Sequence, residues 1–153
     1  MEAFEYVAPK SLGEAYTALG NGKRSLFLAG GTDVIVQLRE NRRTCDQLID
    51  VKHIPELMEL TLTPEGGLDI GAAKPLAEIY ENAEVLRRFP CVVDAASIIG
   101  GTAIQGRASL GGNLCNAGPA ADSSPALMVL GARVVIGSST GTREMPIEEF
   151  FLG

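Results

Sequence analysis

A chain of 153 residues has the length of one ordinary domain or of two small lobes, and 46% hydrophobic residues are enough to build a core. The net charge of -6, without a basic stripe that carries aromatic residues, argues against nucleic-acid binding. No apolar run approaches the ~20 residues that cross a bilayer, and the first residues lack a signal-peptide pattern. We therefore expect a cytoplasmic protein without a membrane span.

The first third of the sequence predicts a helix followed by a βαβ unit. Ser11 and Glu14 form a capping-box pattern, and apolar residues at helical spacing continue it as a helix over residues 12–19. The βαβ unit comprises a strand over 25–29, the pair Gly30-Gly31, a helix over 32–39 and a strand over 47–51. Residues 1–55 are thus expected to form a small α/β lobe.

The pattern changes after Pro55 and predicts a larger α+β lobe over residues 56–153. Alternating apolar residues in 57–63 and 68–72 flank a Pro-Glu-Gly-Gly turn and indicate a hairpin. The remaining predicted elements are a helix with Pro75 as its first residue, helices over 92–99 and 126–130, a strand over 133–136, a turn over 137–141 and a short segment over 146–151.

The cysteine and histidine residues predict no metal centre. Cys45, Cys91 and Cys115 are far apart and form no C-x-x-C motif, so we expect neither a disulfide framework nor a zinc site. His53 is the single histidine and is expected to be a turn residue. No catalytic acid or base is predicted, because the candidate glutamates lie on exposed faces of predicted helices.

Two glycine pairs follow hydrophobic runs in what we expect to be short turns, Gly30-Gly31 in the first predicted lobe and Gly111-Gly112 in the second. Glycine lets backbone N–H groups approach a ligand, and a helix N-terminus adds unpaired donors, which suits a diphosphate. The first pair lacks the complete Rossmann and P-loop motifs, so a simple chain reversal is the alternative interpretation. A ligand in a cleft between the lobes would contact both pairs.

Polar residues crowd around the second glycine pair. Asn113, Asn116 and Asp122 stand in a stretch otherwise rich in glycine, alanine and proline. The alternative interpretation is a capped helix start, with Asp122 or Ser123 as the N-cap. The carboxylate of Asp122 suits sugar or ribityl hydroxyls, and Ser109 suits phosphate oxygens.

Four motifs in this order resemble the FAD-binding (medium) subunit of molybdenum hydroxylases of the xanthine dehydrogenase and carbon monoxide dehydrogenase type. The motifs are residues 28–33, 54–57, 99–101 with 108–113, and 119–127. The resemblance covers essentially the whole chain. It implies an α+β fold with two lobes, the PCMH-type FAD-binding domain.

The resemblance also implies FAD as the cofactor and an oxidoreductase that works with partner subunits. In this family, substrate is oxidised at a molybdopterin centre on a large subunit. Electrons then pass through [2Fe-2S] clusters on a small subunit to the FAD, and from there to NAD⁺ or another acceptor. The family's subunit continues with further strands and a C-terminal domain, so the resemblance implies that this chain is truncated.

Site residues follow from the resemblance by position. The first motif would hold the diphosphate largely through backbone N–H groups, the second glycine pair would form the opposing wall, and the Ile99 turn would make room for adenine. The expected cofactor-binding residues are Leu28, Ala29, Gly30, Gly31, Thr32, Asp33, Val34, Ile99, Gly100, Ser109, Gly111, Gly112, Asn113, Asn116 and Asp122.

One local departure from the family pattern concerns Gly106, which stands where an asparagine is usual. The loss of that side chain predicts a looser second loop. Two other functions remain open. One is a docking module for the iron–sulfur and molybdenum subunits that holds no cofactor, and the other is a MurB-like flavin reductase.

Overall fold

A computed structural model describes residues 2–151, in which a small parallel sheet and its helices lie beside a larger helical part. The sheet contains β1 (Glu5–Val7), β2 (Ser25–Leu28) and β3 (Gln47–Asp50), in the order β1-β3-β2. Two antiparallel hairpins pair β4 (Leu60–Leu62) with β5 (Leu68–Ile70) and β6 (Arg133–Ser138) with β7 (Gly141–Pro146). The helices are α1 (Leu12–Leu19), α2 (Val34–Arg39), α3 (Leu76–Tyr80), α4 (Ala83–Arg88), α5 (Pro90–Ile98), α6 (Thr102–Gln105), α7 (Leu110–Asn116) and α8 (Ser123–Val129).

The first helix has the predicted bounds, and its cap explains why. The Ser11 hydroxyl accepts the Glu14 N–H at 3.2 Å, as in a capping box. The Glu14 carboxylate accepts the N–H of Lys10, at 2.7 Å, rather than that of Ser11. At the other end the Gly20 N–H donates to the Tyr16 carbonyl, so both ends of α1 are satisfied.

The predicted βαβ unit is present as β2, α2 and β3. Its strands are parallel, with Ser25 opposite Gln47 and Leu28 opposite Asp50. All four β3 residues are buried, as expected for a central strand covered on both faces. The edge strand β1 was not predicted, because three residues with little apolar periodicity form a strand only by pairing with β3.

The predictions for Pro75 and for residues 137–141 need correction. Pro75 is the cap before α3, with ψ of 138°, and not the first helical residue. Residues 137–141 are not one turn, because β6 continues to Ser138 and residues 141–146 form β7. The missed strand reads Gly-Thr-Arg-Glu-Met-Pro, which has no apolar alternation, so its pairing with β6 sets its conformation. The predicted hairpin of β4 and β5 is confirmed.

One hydrophobic core cluster lies among helices α3, α4 and α5 and the start of α7. It is built from Leu76, Ile79, Val85, Val92, Val93, Ala96, Ala108 and Leu110. The last two residues flank Ser109, and the Leu76 N–H donates to the Ala108 carbonyl at 2.8 Å. The backbone that leads into Gly111-Gly112 is therefore fixed by the core. Over residues 2–151, no helix combines the length and apolar character needed to span a bilayer.

Candidate functional site

The first glycine pair lies between β2 and α2. Gly31 has φ of +78°, a backbone conformation that side chains with a Cβ rarely adopt. An added Cβ would also lie 2.7 Å from Cδ1 of the buried Leu28. Helix α2 begins at Val34, two residues later than predicted, with Asp33 as its N-cap. The Asp33 carboxylate accepts a hydrogen bond from Gln37 Nε2 and makes no capping bond, so it accepts from none of the amides of the loop.

The second glycine pair does not lie in a turn, contrary to the sequence-based expectation. Gly111 and Gly112 are in the first turn of α7, which Ser109 caps. The Ser109 hydroxyl is buried and accepts the Gly112 N–H at 3.1 Å. An added Cβ on Gly111 would lie 2.6 Å from the Cβ of Ala72 and 2.7 Å from its Cα. Glycine is required at position 111 because the helix packs on the Ala72 backbone.

The first glycine segment (residues 29–33) and the second (residues 107–113) touch through their backbones. An added Cβ on Gly30 would lie 2.6 Å from the carbonyl carbon of Arg107 and 2.8 Å from the Cα of Ala108. The ideal Cβ position on Gly112 is 4.0 Å from the Cβ of Ala29. Residues far apart in sequence are thus brought to one place, and Gly30 permits the approach because it has no side chain.

The loops carry backbone donors that the protein itself does not use. Within residues 2–151, the amides of Gly30, Gly31, Thr32 and Asp33 donate to no backbone or side-chain acceptor, and neither does that of Gly111. Unpaired amides at the start of helices are suited to anionic oxygens. The donor set therefore fits a diphosphate, which offers several such oxygens to both segments at once.

A partly buried ion pair, for which the sequence predicted no role, contacts the first loop. Lys52 Nζ is 2.6 Å from Asp50 Oδ1 and donates to the Ala29 carbonyl at 2.9 Å. The Tyr6 hydroxyl donates to Asp50 Oδ2 at 2.6 Å. Burial opposes ionisation of Asp50, but hydrogen bonds from Lys52 and Tyr6 outweigh it and hold the pKa of this carboxyl below its usual value. A charged Asp-x-Lys at the end of a buried strand was the available signal.

The second side of the loop is held by Arg107, also without an assigned role in the sequence analysis. Its Nε donates to the Gly30 carbonyl at 3.2 Å. Gly106, before it, has φ of -65° and ψ of -8°, and an added Cβ would meet only the Thr102 carbonyl at 3.7 Å. The backbone at Gly106 is therefore ordinary helical backbone, which residues other than glycine also adopt.

The remaining predicted residues divide into three groups. Leu28 and Val34 pack in the cluster with Leu38 and Cys45 and support the loop from below. Ile99 and Gly100 form a turn whose Gly100 carbonyl accepts from Gln105 Nε2 at 3.0 Å. The polar residues are spread along α7 and α8. The Asn113 side-chain carbonyl oxygen accepts from the Ser123 hydroxyl, and Asn116 Oδ1 lies 3.4 Å from Gln37 Nε2. Asp122 is exposed at the start of α8.

A concavity of about 690 Å³ lies away from the glycine loops, between β1 and α1. Gln47, a buried polar residue in its lining, is already bonded to Asn21 and to the Ala18 carbonyl. Glu5 and Glu14 give its rim negative charge. This open and acidic surface does not suit a diphosphate.

Ser109→Ala tests the cap beneath the second glycine pair. The change leaves the Gly112 N–H without its acceptor, so we expect the free energy of unfolding to fall by about 1 kcal/mol. Chemical denaturation measures the loss. Ser109→Thr keeps the hydroxyl and is the matched control, and equal losses in the two variants would contradict the capping role.

Comparison with known proteins agrees with the fold and with the ligand class. A family model described as the FAD binding domain in molybdopterin dehydrogenase matches residues 2–153. The xanthine dehydrogenase FAD-binding subunit of Escherichia coli O157:H7 is 34% identical over 148 residues, which are 97% of this chain and 51% of that protein. The chain spans about half the length of the curated relatives it matches.

Solved structures extend the comparison to three dimensions. The chain aligns with a carbon monoxide dehydrogenase from Hydrogenophaga pseudoflava, which lacks the Mo-pyranopterin moiety, at a TM-score of 0.92 and 32% identity over 99% of this chain and 53% of that one. It aligns with quinoline 2-oxidoreductase from Pseudomonas putida 86 at a TM-score of 0.93 and 27% identity, again over 99% of this chain and 53% of that one. The predicted α+β fold is confirmed, and so is the predicted membership in an FAD-binding family. The chain belongs to the family of FAD-binding domains of molybdopterin dehydrogenases.

Proposed function

We propose that this chain binds FAD with the diphosphate between the two glycine segments and serves as the flavin-binding, electron-transfer part of an oxidoreductase complex. The contact between the Gly30 and Arg107 backbones carries this proposal, because it brings the unpaired amides of both segments to one place.

The residues of this chain would bind and orient the cofactor. Amides from Gly30 to Asp33, with the Thr32 hydroxyl, would donate to one phosphate, and the Gly111 amide to the other. Ser109, Gly112 and Asn113 would complete the second wall. The Asp122 carboxylate would accept from hydroxyls with Asn116 beside it, and Ile99 and Gly100 would border the adenine. A bound flavin supplies the electron-accepting chemistry, and the protein supplies binding, orientation and electrostatics.

The proposal extends to the complex in which the chain works. Relatives carry the names of xanthine dehydrogenase FAD-binding subunit, nicotinate dehydrogenase FAD-subunit and carbon monoxide dehydrogenase medium chain. We infer a cytoplasmic assembly with a molybdopterin-binding large subunit and a [2Fe-2S] small subunit. Electrons would reach this chain from the iron–sulfur clusters and leave to NAD⁺ or another acceptor.

Flavin-dependent stabilisation tests the proposed cofactor. Stripped protein is mixed with FAD, and thermal unfolding is followed with and without the ligand. At a free concentration of 100 times the dissociation constant, we expect about 2.7 kcal/mol of added stability, which is a clear shift of the melting temperature. Riboflavin, which lacks the diphosphate, is the matched control. A colourless protein that co-purifies with partner subunits and gains no stability from FAD would contradict the proposal and support the docking module.

A further inference from the structure

Two cationic side chains hold two successive peptide groups of the first glycine loop. Lys52 Nζ donates to the carbonyl of Ala29 at 2.9 Å, and Arg107 Nε donates to the carbonyl of Gly30 at 3.2 Å. The two cations come from different parts of the fold. Lys52 follows β3, and Arg107 follows α6 in the helical part.

Each anchored carbonyl fixes the amide of the same peptide group. A trans peptide is planar and directs its N–H opposite to its C=O. The peptide bonds within residues 2–151 are trans, so the Gly30 N–H points away from Lys52 and the Gly31 N–H points away from Arg107. Neither amide donates to an acceptor in that part of the chain. The anchors therefore orient the donors that a diphosphate would use.

The charge of Lys52 is largely neutralised where it stands. Its partner Asp50 is 4% exposed and is itself held by the Tyr6 hydroxyl. Lys52 therefore acts on Ala29 mainly through geometry. Arg107 has no carboxylate among its hydrogen-bond partners in residues 2–151, and its backbone packs against Gly30. Substitutions of Arg107 can therefore separate the effect of its Nε–H donor on FAD binding from the effect of its positive charge.

We propose that Arg107 is a positioning residue for the FAD diphosphate, which fixes the Gly30–Gly31 peptide group while Lys52 fixes the preceding one. The proposal rests on the proposed function. Its content is that the Nε–H of Arg107 acts through the Gly30 carbonyl, and that the positive charge is secondary. Loss of this bond would let the Gly31 amide rotate away from the phosphate.

Arg107→Gln and Arg107→Met separate the donor from the charge. Glutamine places an N–H group at the position of the arginine Nε, whereas methionine has a methyl group there, and neither is charged. We expect the dissociation constant for FAD to rise about tenfold in Arg107→Met, which corresponds to about 1.4 kcal/mol. In Arg107→Gln it should stay within about threefold of the unsubstituted protein, a change below about 0.7 kcal/mol.

Titration of the stripped, folded protein with FAD, followed by flavin fluorescence, measures these constants. Chemical denaturation without FAD measures the stability of each variant, which should not follow the FAD affinity. Arg143→Met, at an exposed residue of β7, removes the same charge elsewhere and should bind as the unsubstituted chain does. Arg107→Lys keeps the charge but has a methylene group at the Nε position, so its affinity should fall below that of Arg107→Gln.

The outcomes are distinct. Failure of the unsubstituted protein to bind FAD would overturn the proposed function and this inference together. Binding by that protein with equal weakening in the glutamine and methionine variants would assign the effect to charge and overturn positioning alone. Unchanged FAD affinity in Arg107→Met would also overturn the positioning role, because loss of the Nε donor would then have no effect on binding. If the methionine variant does not fold, the comparison of glutamine with lysine decides, and lysine equal to or better than glutamine overturns the inference.

Discussion

Gly30→Ala is expected to separate the two glycine segments and abolish FAD binding. The added methyl group would lie 2.6 Å from the carbonyl carbon of Arg107 and 2.8 Å from the Cα of Ala108. Both atoms belong to the backbone, so no side-chain rotation relieves the clash. Overpacking of this kind costs about 3 kcal/mol of the free energy of unfolding, and relief by loop movement would displace the unpaired amides.

Chemical denaturation and FAD titration measure the two effects of Gly30→Ala. Gly13→Ala is the matched control, since Gly13 lies in α1 and an added Cβ would come no closer than 4.0 Å to Ser11 Oγ. Alanine in a helix is favoured over glycine by up to about 1 kcal/mol, so this control should gain stability and keep its affinity for FAD. A Gly30→Ala variant as stable as the parent and equal in FAD affinity would refute the backbone contact.

Asp50→Ala is expected to lower the free energy of unfolding by about 3 kcal/mol. The change removes the carboxylate that pairs with Lys52 and accepts from Tyr6, and it leaves the ammonium group half-buried without its counter-charge. Asp46→Ala is the control, because Asp46 forms an exposed pair with Arg24 and surface pairs contribute little. Equal losses in the two variants would contradict a structural role for the buried pair.

The effect of Asp50→Ala should depend on pH in a defined direction. The pKa of Asp50 lies below its ordinary value in the folded protein, so the unfolded chain takes up a proton more readily. The stabilisation is complete above about pH 4 and is lost as the pH falls through the folded pKa. The difference between parent and variant, measured by urea denaturation from pH 7 to pH 3, should shrink at the acid end. A difference that grows on acidification would contradict the assignment.

Local signals explain which elements were predictable. The Ser11 capping pattern carries its own partner within three residues, so α1 could be located from the sequence. The strand β7 could not, because its residues have no apolar alternation and its conformation depends on pairing with β6. The edge strand β1 was missed for the same reason.

The glycine segments show a similar division between local and long-range causes. The positive φ of Gly31 agrees with a loop, as the sequence indicated. Glycine at 30 and 111 has a different cause, since each lies against the backbone of a residue distant in sequence, Arg107 or Ala72. The second segment was wrongly expected to be a turn, because two glycines weaken a helix pattern. The Ser109 cap starts α7 before the pair, so that both glycines lie in the first turn of the helix.

The supporting side chains were the least predictable part of the site. Lys52 and Arg107 contact the first loop through carbonyl groups, which any cation in reach can do. The Asp-x-Lys pattern was the one signal for Lys52, and no residue pattern identifies Arg107. The resemblance named the ligand and the loops, and the folded chain adds the ion pair and the arginine that hold the first loop in place.

Amide chemical shifts of the ¹⁵N-labelled protein, titrated with FAD, test most directly whether the diphosphate lies between the two glycine segments. The expected result is a concerted shift of the Gly30, Gly31, Thr32 and Gly111 amides, reproduced by ADP and absent with riboflavin. Shifts confined to the concavity lined by Ser11 and Gln47, or none at saturating FAD, would contradict the proposed site.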